Sequence, residues 1–194
     1  MNRLEKVDIA RTRAFWAANK PGETAAPAYV PDPPLWWHIA LALVAALIVQ
    51  SSFAPFLAFR GGTPPLVTLL VGWYAIRTGS LRGAAFGLIA GSAEDALAGT
   101  TGVAWTFATA LVGFAAGRLA RTWLADTQLA LVPGAALLVL VRYGAFVVAM
   151  QLQGRPVALP VAHLHAVLWQ CAVAALAAFA FTHAFPARGA GARR

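Results

Sequence analysis

The chain reads as an all-α integral membrane protein, and three observations predict this class. Only 11% of its 194 residues are charged and 60% are hydrophobic, whereas a soluble domain has about 25% charged residues. So few charges cannot cover the surface of a soluble domain of this length. The apolar residues fall into six segments of helical length, and the basic residues are concentrated between the segments. Finally, a glycine recurs every four residues along the third segment, a device that membrane helices use for close packing.

Residues 1–34 stand apart as a cytoplasmic flexible N-terminal tail. Met1 to Lys20 is mixed in charge, with Leu4, Val7, Ala14 and Phe15 loosely on one side, and Pro21, Pro27, Pro31, Pro33 and Pro34 then oppose helix formation. The stretch does not read as a secretory signal peptide, because the first apolar run begins only at Leu35. Residues 35–185 are expected to form a six-helix transmembrane domain. Its segments are Leu35 to Leu57, Pro65 to Ile76, Gly83 to Leu97, Val103 to Leu119, Leu129 to Leu152 and Val157 to Phe185. The second and third are short of the ~17–25 residues a spanning helix needs, and full crossing requires flanking residues such as Thr63 and Thr78. A re-entrant pair buried by neighbours is the other solution. Residues 186–194 form a basic cytoplasmic tail.

Orientation follows from the loops. Arg3, Lys6, Arg11, Arg13 and Lys20 precede the first segment, Arg77 and Arg82 follow the second, Arg118 and Arg121 follow the fourth, and Arg188, Arg193 and Arg194 end the chain. The alternate loops hold only Arg60 and Arg155. Cytoplasmic loops are enriched in Lys and Arg, so the alternation predicts six spans with both termini in the cytoplasm. Trp36, Trp37 and Trp123 then fall at the inner interface and Trp105 at the outer one. The net charge of +8 is dispersed in these short groups. It suits anionic lipid headgroups rather than nucleic acid.

Gly79, Gly83, Gly87 and Gly91 continue in register to Asp95 and Gly99. Residues four apart share a helix face, so the stripe is a groove nearly devoid of side chains that ends in a carboxylate. Gly113 and Gly117 repeat the device on the fourth segment. Such a face accepts either a partner's helix or a neighbour within the same bundle. Gly83, Gly87, Gly91, Asp95 and Gly99 are therefore the candidate partner-binding residues. Asp95 is also placed to cap the turn that Gly99 and Gly102 permit.

Arg142 lies inside the fifth segment, where an unpaired charge costs about 2.5–3.5 kcal/mol on the most lenient scale. It needs a partner. Glu94, Asp95 and His163 fall towards the same side, which suggests an outer polar cluster of Glu94 or Asp95 with Arg142 and one histidine. Catalytic signals are weak. Adjacent Glu94 and Asp95 diverge by about 100° on a helix, His163 and His165 point apart, and no zinc-protease, P-loop or nucleophile-elbow motif occurs. Cys171 is the only cysteine, which excludes an intrachain disulfide and a multi-cysteine metal site; its apolar neighbours suggest a buried inert thiol. No catalytic residue, metal or cofactor is expected.

The run from Thr63 through Leu119 resembles the rod shape-determining protein MreD family. The matching features are a proline-led short apolar span (Pro64-Pro65-Leu-Val-Thr-Leu-Leu-Val), a basic glycine-containing turn (Arg77-Thr-Gly-Ser-Leu-Arg82), a glycine helix ending in G-x-x-x-D-x-x-x-G (Gly91, Asp95, Gly99), and Gly102 opening the next span. Glu94 stands where the family usually has an apolar residue, and the 34-residue leader is longer than usual. The resemblance implies a bundle akin to the substrate-binding subunits of energy-coupling-factor transporters. It implies a non-enzymatic inner-membrane scaffold of bacterial cell elongation. The implied partners are an MreC-like single-span protein and, through it, MreB filaments, a RodA-type polymerase and its transpeptidase. A substrate-binding subunit of an energy-coupling-factor vitamin transporter is the alternative, with Arg142, His163 and Asp95 lining a pocket.

Overall fold

A computed structural model of the chain describes residues 35–53, 56, 58, 59, 62–122, 130–155 and 161–184. The proline-rich tail, the basic C-terminal stretch, Arg60 and Trp123 lie outside the described residues. Among the described residues, six helices follow one another within a single unit, Pro33–Arg194. Helix α1 is Trp36–Ile48, continued by a π-helical turn at Val49–Phe53; α2 is Leu66–Thr78 and α3 is Ser80–Ala98. Helix α4 is Ala104–Thr122, α5 is Leu131–Leu152 and α6 is Val161–Ala184. Each apolar segment of the sequence thus contains one helix, and no named strand occurs among the described residues.

Among the described residues, three stretches are long and apolar enough to cross a membrane: Trp36–Phe53, Leu131–Leu152 and His163–His183. Helix α2 is apolar but has 13 residues, about 20 Å of rise against a hydrocarbon core of about 30 Å. Helices α3 and α4 have 19 residues each, but glycine, serine or threonine and charged side chains dilute their hydropathy.

The short α2 is central. Val67, Val71 and Ala75 along it are fully buried against Phe86 and Ala90 of α3, Val112 and Ala116 of α4, and Leu138 of α5. Ile39 and Leu43 of α1 complete this cluster. A smaller cluster joins Ala135 and Val139 of α5 to Ala174 of α6. The outward residues are apolar too, including Leu41, Val44, Leu140, Leu168 and Leu176. An apolar exterior is the pattern of helices whose outer solvent is lipid.

Two glycines make the turns around α3. Gly79 alone separates α2 from α3, at φ 96°, a conformation that a β-carbon disfavours. Gly99 ends α3 in the left-handed region at φ 68°, and its N–H bonds the Asp95 carbonyl at 3.0 Å, the standard way a helix closes on glycine. Between these turns α3 lies antiparallel on α4 with their backbones in contact. A β-carbon at Gly83 would overlap Ala75 and the Gly113 carbonyl; at Gly87 it would overlap the Thr109 carbonyl, and at Gly91 Trp105 and Thr106. Gly113 is blocked in turn by Gly83, and Gly117 by Gly79 and Ser80. The stripe considered as a partner's docking groove is therefore filled by α4 of the same chain. Internal packing, the other reading of the spacing, is what the stripe does. Gly99 has no atom near its missing β-carbon and serves the turn.

Candidate functional site

Polar side chains inside an apolar bundle must find one another, because water is not there to receive them. Five helical elements send such groups to one point. Arg142, at the middle of α5, is only 7% exposed. Its Nη2 donates to Glu94 Oε1 of α3 at 2.5 Å and its Nη1 to Thr68 Oγ1 of α2 at 2.6 Å. Its guanidinium lies over the Trp105 ring of α4, 4.5 Å from the centroid, and Trp105 stacks in turn on Phe146 of α5. Glu94, 8% exposed, also accepts from Gln50 Nε2 at 3.1 Å and, through Oε2, from Thr109 Oγ1 at 3.2 Å. Every bond is charge-assisted, the class that strengthens most when removed from water.

Gln50 lies on the π-helical turn that ends α1, a distortion often found at functional positions. Its Oε1 accepts the Val67 N–H at 3.1 Å. Val67 is the second residue of α2, and Pro65, the residue in the capping position, has no side-chain oxygen to offer. Gln50 thus caps α2 from another helix while its amide nitrogen holds Glu94.

Asp95 acts separately. Its carboxylate accepts the Trp105 and Thr106 N–H groups at 3.1 and 2.8 Å, and the Thr101 and Thr106 hydroxyls at 2.6 and 2.7 Å. Trp105 and Thr106 are the second and third residues of α4, whose preceding residue, Val103, cannot cap. Asp95 therefore satisfies the free donors of the α4 N-terminus and sits at the positive end of its dipole. The 100° divergence of the adjacent carboxylates has a structural use: one joins the arginine and the other caps the next helix.

The proposed polar cluster is corrected accordingly. Glu94 and Arg142 come together. Asp95 is turned away to α4, and His163 is exposed on α6. Trp105, expected in an outer aromatic belt, is half-buried against Arg142. Asp95 is not on a partner-facing surface, since all four of its acceptor bonds go to the turn and helix that follow it. Cys171 is half-buried rather than buried, with its thiol 3.5 Å from the Ala136 carbonyl. The network residues that sequence reasoning missed are Gln50, Thr68 and Thr109. Each is a polar residue inside an apolar segment, a signal that Arg142 carries more visibly.

A cavity of about 430 Å³ adjoins the ion pair. It lies where α1 and α3 end and α2 and α4 begin. Gln50, Ser51, Thr63, Glu94, Arg142 and Gln170 supply its polar lining, and Leu47, Pro65, Leu97 and Trp105 its apolar walls. Arg142 Nε, although buried, has no hydrogen-bond partner. A second cavity of about 410 Å³, bounded by α2, α4, α5 and α6, is lined by apolar side chains apart from Thr68 and Arg77. Among the described residues, no three His, Cys, Asp or Glu side chains gather as a metal site would require. The fold and site together define a helical bundle of membrane character, joined internally, among the described residues, by one buried ion pair and two caps borrowed from other helices. Comparison with protein-family models, curated proteins and solved structures finds no match.

Proposed function

We propose that the chain is a non-enzymatic scaffold of the bacterial inner membrane. In this reading it crosses the bilayer six times with both termini in the cytoplasm, holds an MreC-like single-span protein, and supports peptidoglycan synthesis during rod-shaped growth. The observation that carries the reading is the Thr63–Leu119 run, in which the features resembling the MreD family form one continuous unit, α2–α3–α4. Pro64 and Pro65 lead into α2, Gly79 turns α2 into α3, and Gly91, Asp95 and Gly99 form the packed, capped joint between α3 and α4. The single-residue connection at Gly79 favours a scaffold over a loop-built active site. Because α4 fills the glycine stripe, a partner's helix meets a different, lipid-facing surface. With Glu94 and Asp95 satisfied inside the bundle, α3 and α4 become acceptable spans despite their modest hydropathy.

Affinity purification from native membranes in mild detergent, with identification of co-purifying proteins, tests this. A single-span coiled-coil protein accompanied by a polytopic polymerase is the expected result. Recovery of ATPase subunits with an energy-coupling scaffold protein would overturn it in favour of a vitamin-binding transporter subunit. The cavity beside Arg142 is the specific observation on the side of that second reading.

A further inference from the structure

We infer that the second cavity, between α2, α4, α5 and α6, seats an anionic phospholipid, with an acyl chain in the cavity and the phosphate on Arg77. The inference needs the bundle to stand in a membrane and rests on neither functional reading above. The lining places the cavity at one end of the bundle. Arg77 lies in the last turn of α2, Leu119 in the last turn of α4 and Phe181 in the last turn of α6, while Leu131 opens α5. From Thr68 to Arg77 the lining follows α2 for about 14 Å. One face of α2 is buried at Val67, Val71 and Ala75, but Leu70, Trp73 and Ile76, which line the cavity, are only half-buried. Ala177 and Phe181 of α6, on the other side, are exposed. Water finds too few polar partners along such walls to settle there. An acyl chain covers them at no cost in hydrogen bonds.

The arginine at the end of this slot sets the charge of the lipid. Arg77 lines the cavity and is only half-buried, so an occupant can reach it. Its guanidinium lies over the Trp73 ring, 4.5 Å from the centroid. That contact steadies the charge but supplies no oxygen to the N–H donors. Among the described residues, no carboxylate or other hydrogen-bond acceptor meets Arg77. Arg121 of α4 is exposed, and its Nη2 lies 3.1 Å from where a β-carbon on Gly79 would stand, two residues beyond Arg77. It too has no acceptor among the described residues. Two guanidinium groups at one turn match the oxygens of a phosphate, and basic pockets between membrane helices recruit anionic headgroups. A free phosphate would meet the arginines but leave the apolar walls bare. A zwitterionic lipid would cover the walls but bring its own cation beside the phosphate.

Phosphatidylglycerol and phosphatidylcholine with identical acyl chains, titrated into the full chain in mild detergent, test the site, and native mass spectrometry reads the lipid retained. One phosphatidylglycerol is expected to be held about tenfold or more tightly than phosphatidylcholine. Arg77→Gln should remove that preference and Arg121→Gln reduce it. Arg82→Gln, at an exposed position of α3 that does not line the cavity, should leave it unchanged. Ala177→Phe and Ile76→Trp place bulk in the cavity, and each is expected to weaken phosphatidylglycerol by about tenfold with unchanged helical circular dichroism. Two filling variants are used so that one misfolding does not leave the question open. Equal retention of the two lipids would overturn the inference. So would an Arg82→Gln loss as large as that of Arg77→Gln, which would mean that surface charge in general attracts the lipid. Undiminished binding in the folded filling variants would put the acyl chain elsewhere, and displacement of the lipid by inorganic phosphate would make this a site for a free anion; either result overturns the inference.

Discussion

Along Gly83, Gly87 and Gly91, helix α3 meets α4 with backbone against backbone. One turn later, at Glu94, the same helix reaches α1, α4 and α5 with a single carboxylate. The two regions hold the bundle by opposite means. The glycine seam works by shape and tolerates no added atom. The polar node works by charge, tolerating a change of shape but not the loss of one partner. Lipid explains the division. With acyl chains as apolar as leucine, close packing and buried hydrogen bonds are the main means of holding helices together.

The comparison can be broken first at the node. Arg142→Leu leaves Glu94 buried with its charge unmatched and is expected to lower stability by about 3–5 kcal/mol. The double variant Arg142→Leu/Glu94→Leu removes both charges and should recover most of that loss. Unfolding midpoints in mixed micelles measure both, with His163→Ala as a control expected to stay within about 0.5 kcal/mol because His163 is exposed. A double variant no more stable than Arg142→Leu would mean that the pair itself, and not the uncompensated charge, holds the helices.

The seam comes next. Gly87→Val puts a branched side chain into the Thr109 carbonyl and is expected to lower stability by about 1–3 kcal/mol, or more if the backbones cannot part. No partner substitution on α4 restores it, since the blocking atoms are main chain. Gly99→Ala meets no neighbouring atom and should lose only the left-handed backbone preference, about 1–2 kcal/mol. A Gly87→Val variant within about 0.5 kcal/mol of the unaltered chain would remove the steric account of the seam.

Asp95→Ala separates the two carboxylates. It removes the cap of α4 without touching Arg142, and a loss of about 0.5–2 kcal/mol is expected. Asp95→Asn, which keeps an acceptor oxygen, should recover part of it. Hydrogen exchange at Trp105 and Thr106 offers a local readout: their amides should exchange faster in Asp95→Ala and no faster in Arg142→Leu. Acceleration in both variants would join cap and node into one unit.

Residue type alone determined much of this protein. The low charge, the six apolar segments and the four-residue glycine period were enough to predict six helices, close helix packing and an arginine in need of a partner. Those features are local or periodic, and each segment's preference for helix does not depend on its neighbours. Tertiary structure decided which groups meet. The four-residue spacing presents the same stripe to a partner or to α4, and only the return of the chain at Gly99 brings α4 onto it. Glu94 and Asp95 are adjacent in sequence and equal in charge. The rotation of α3, set by its glycine face, sends one to Arg142 and leaves the other to cap α4. Thr68 and Thr109 were present as isolated polar letters in apolar runs, and Gln50 as the first of three polar residues, Gln50-Ser51-Ser52. Their roles come from a convergence of five helices that no local pattern encodes.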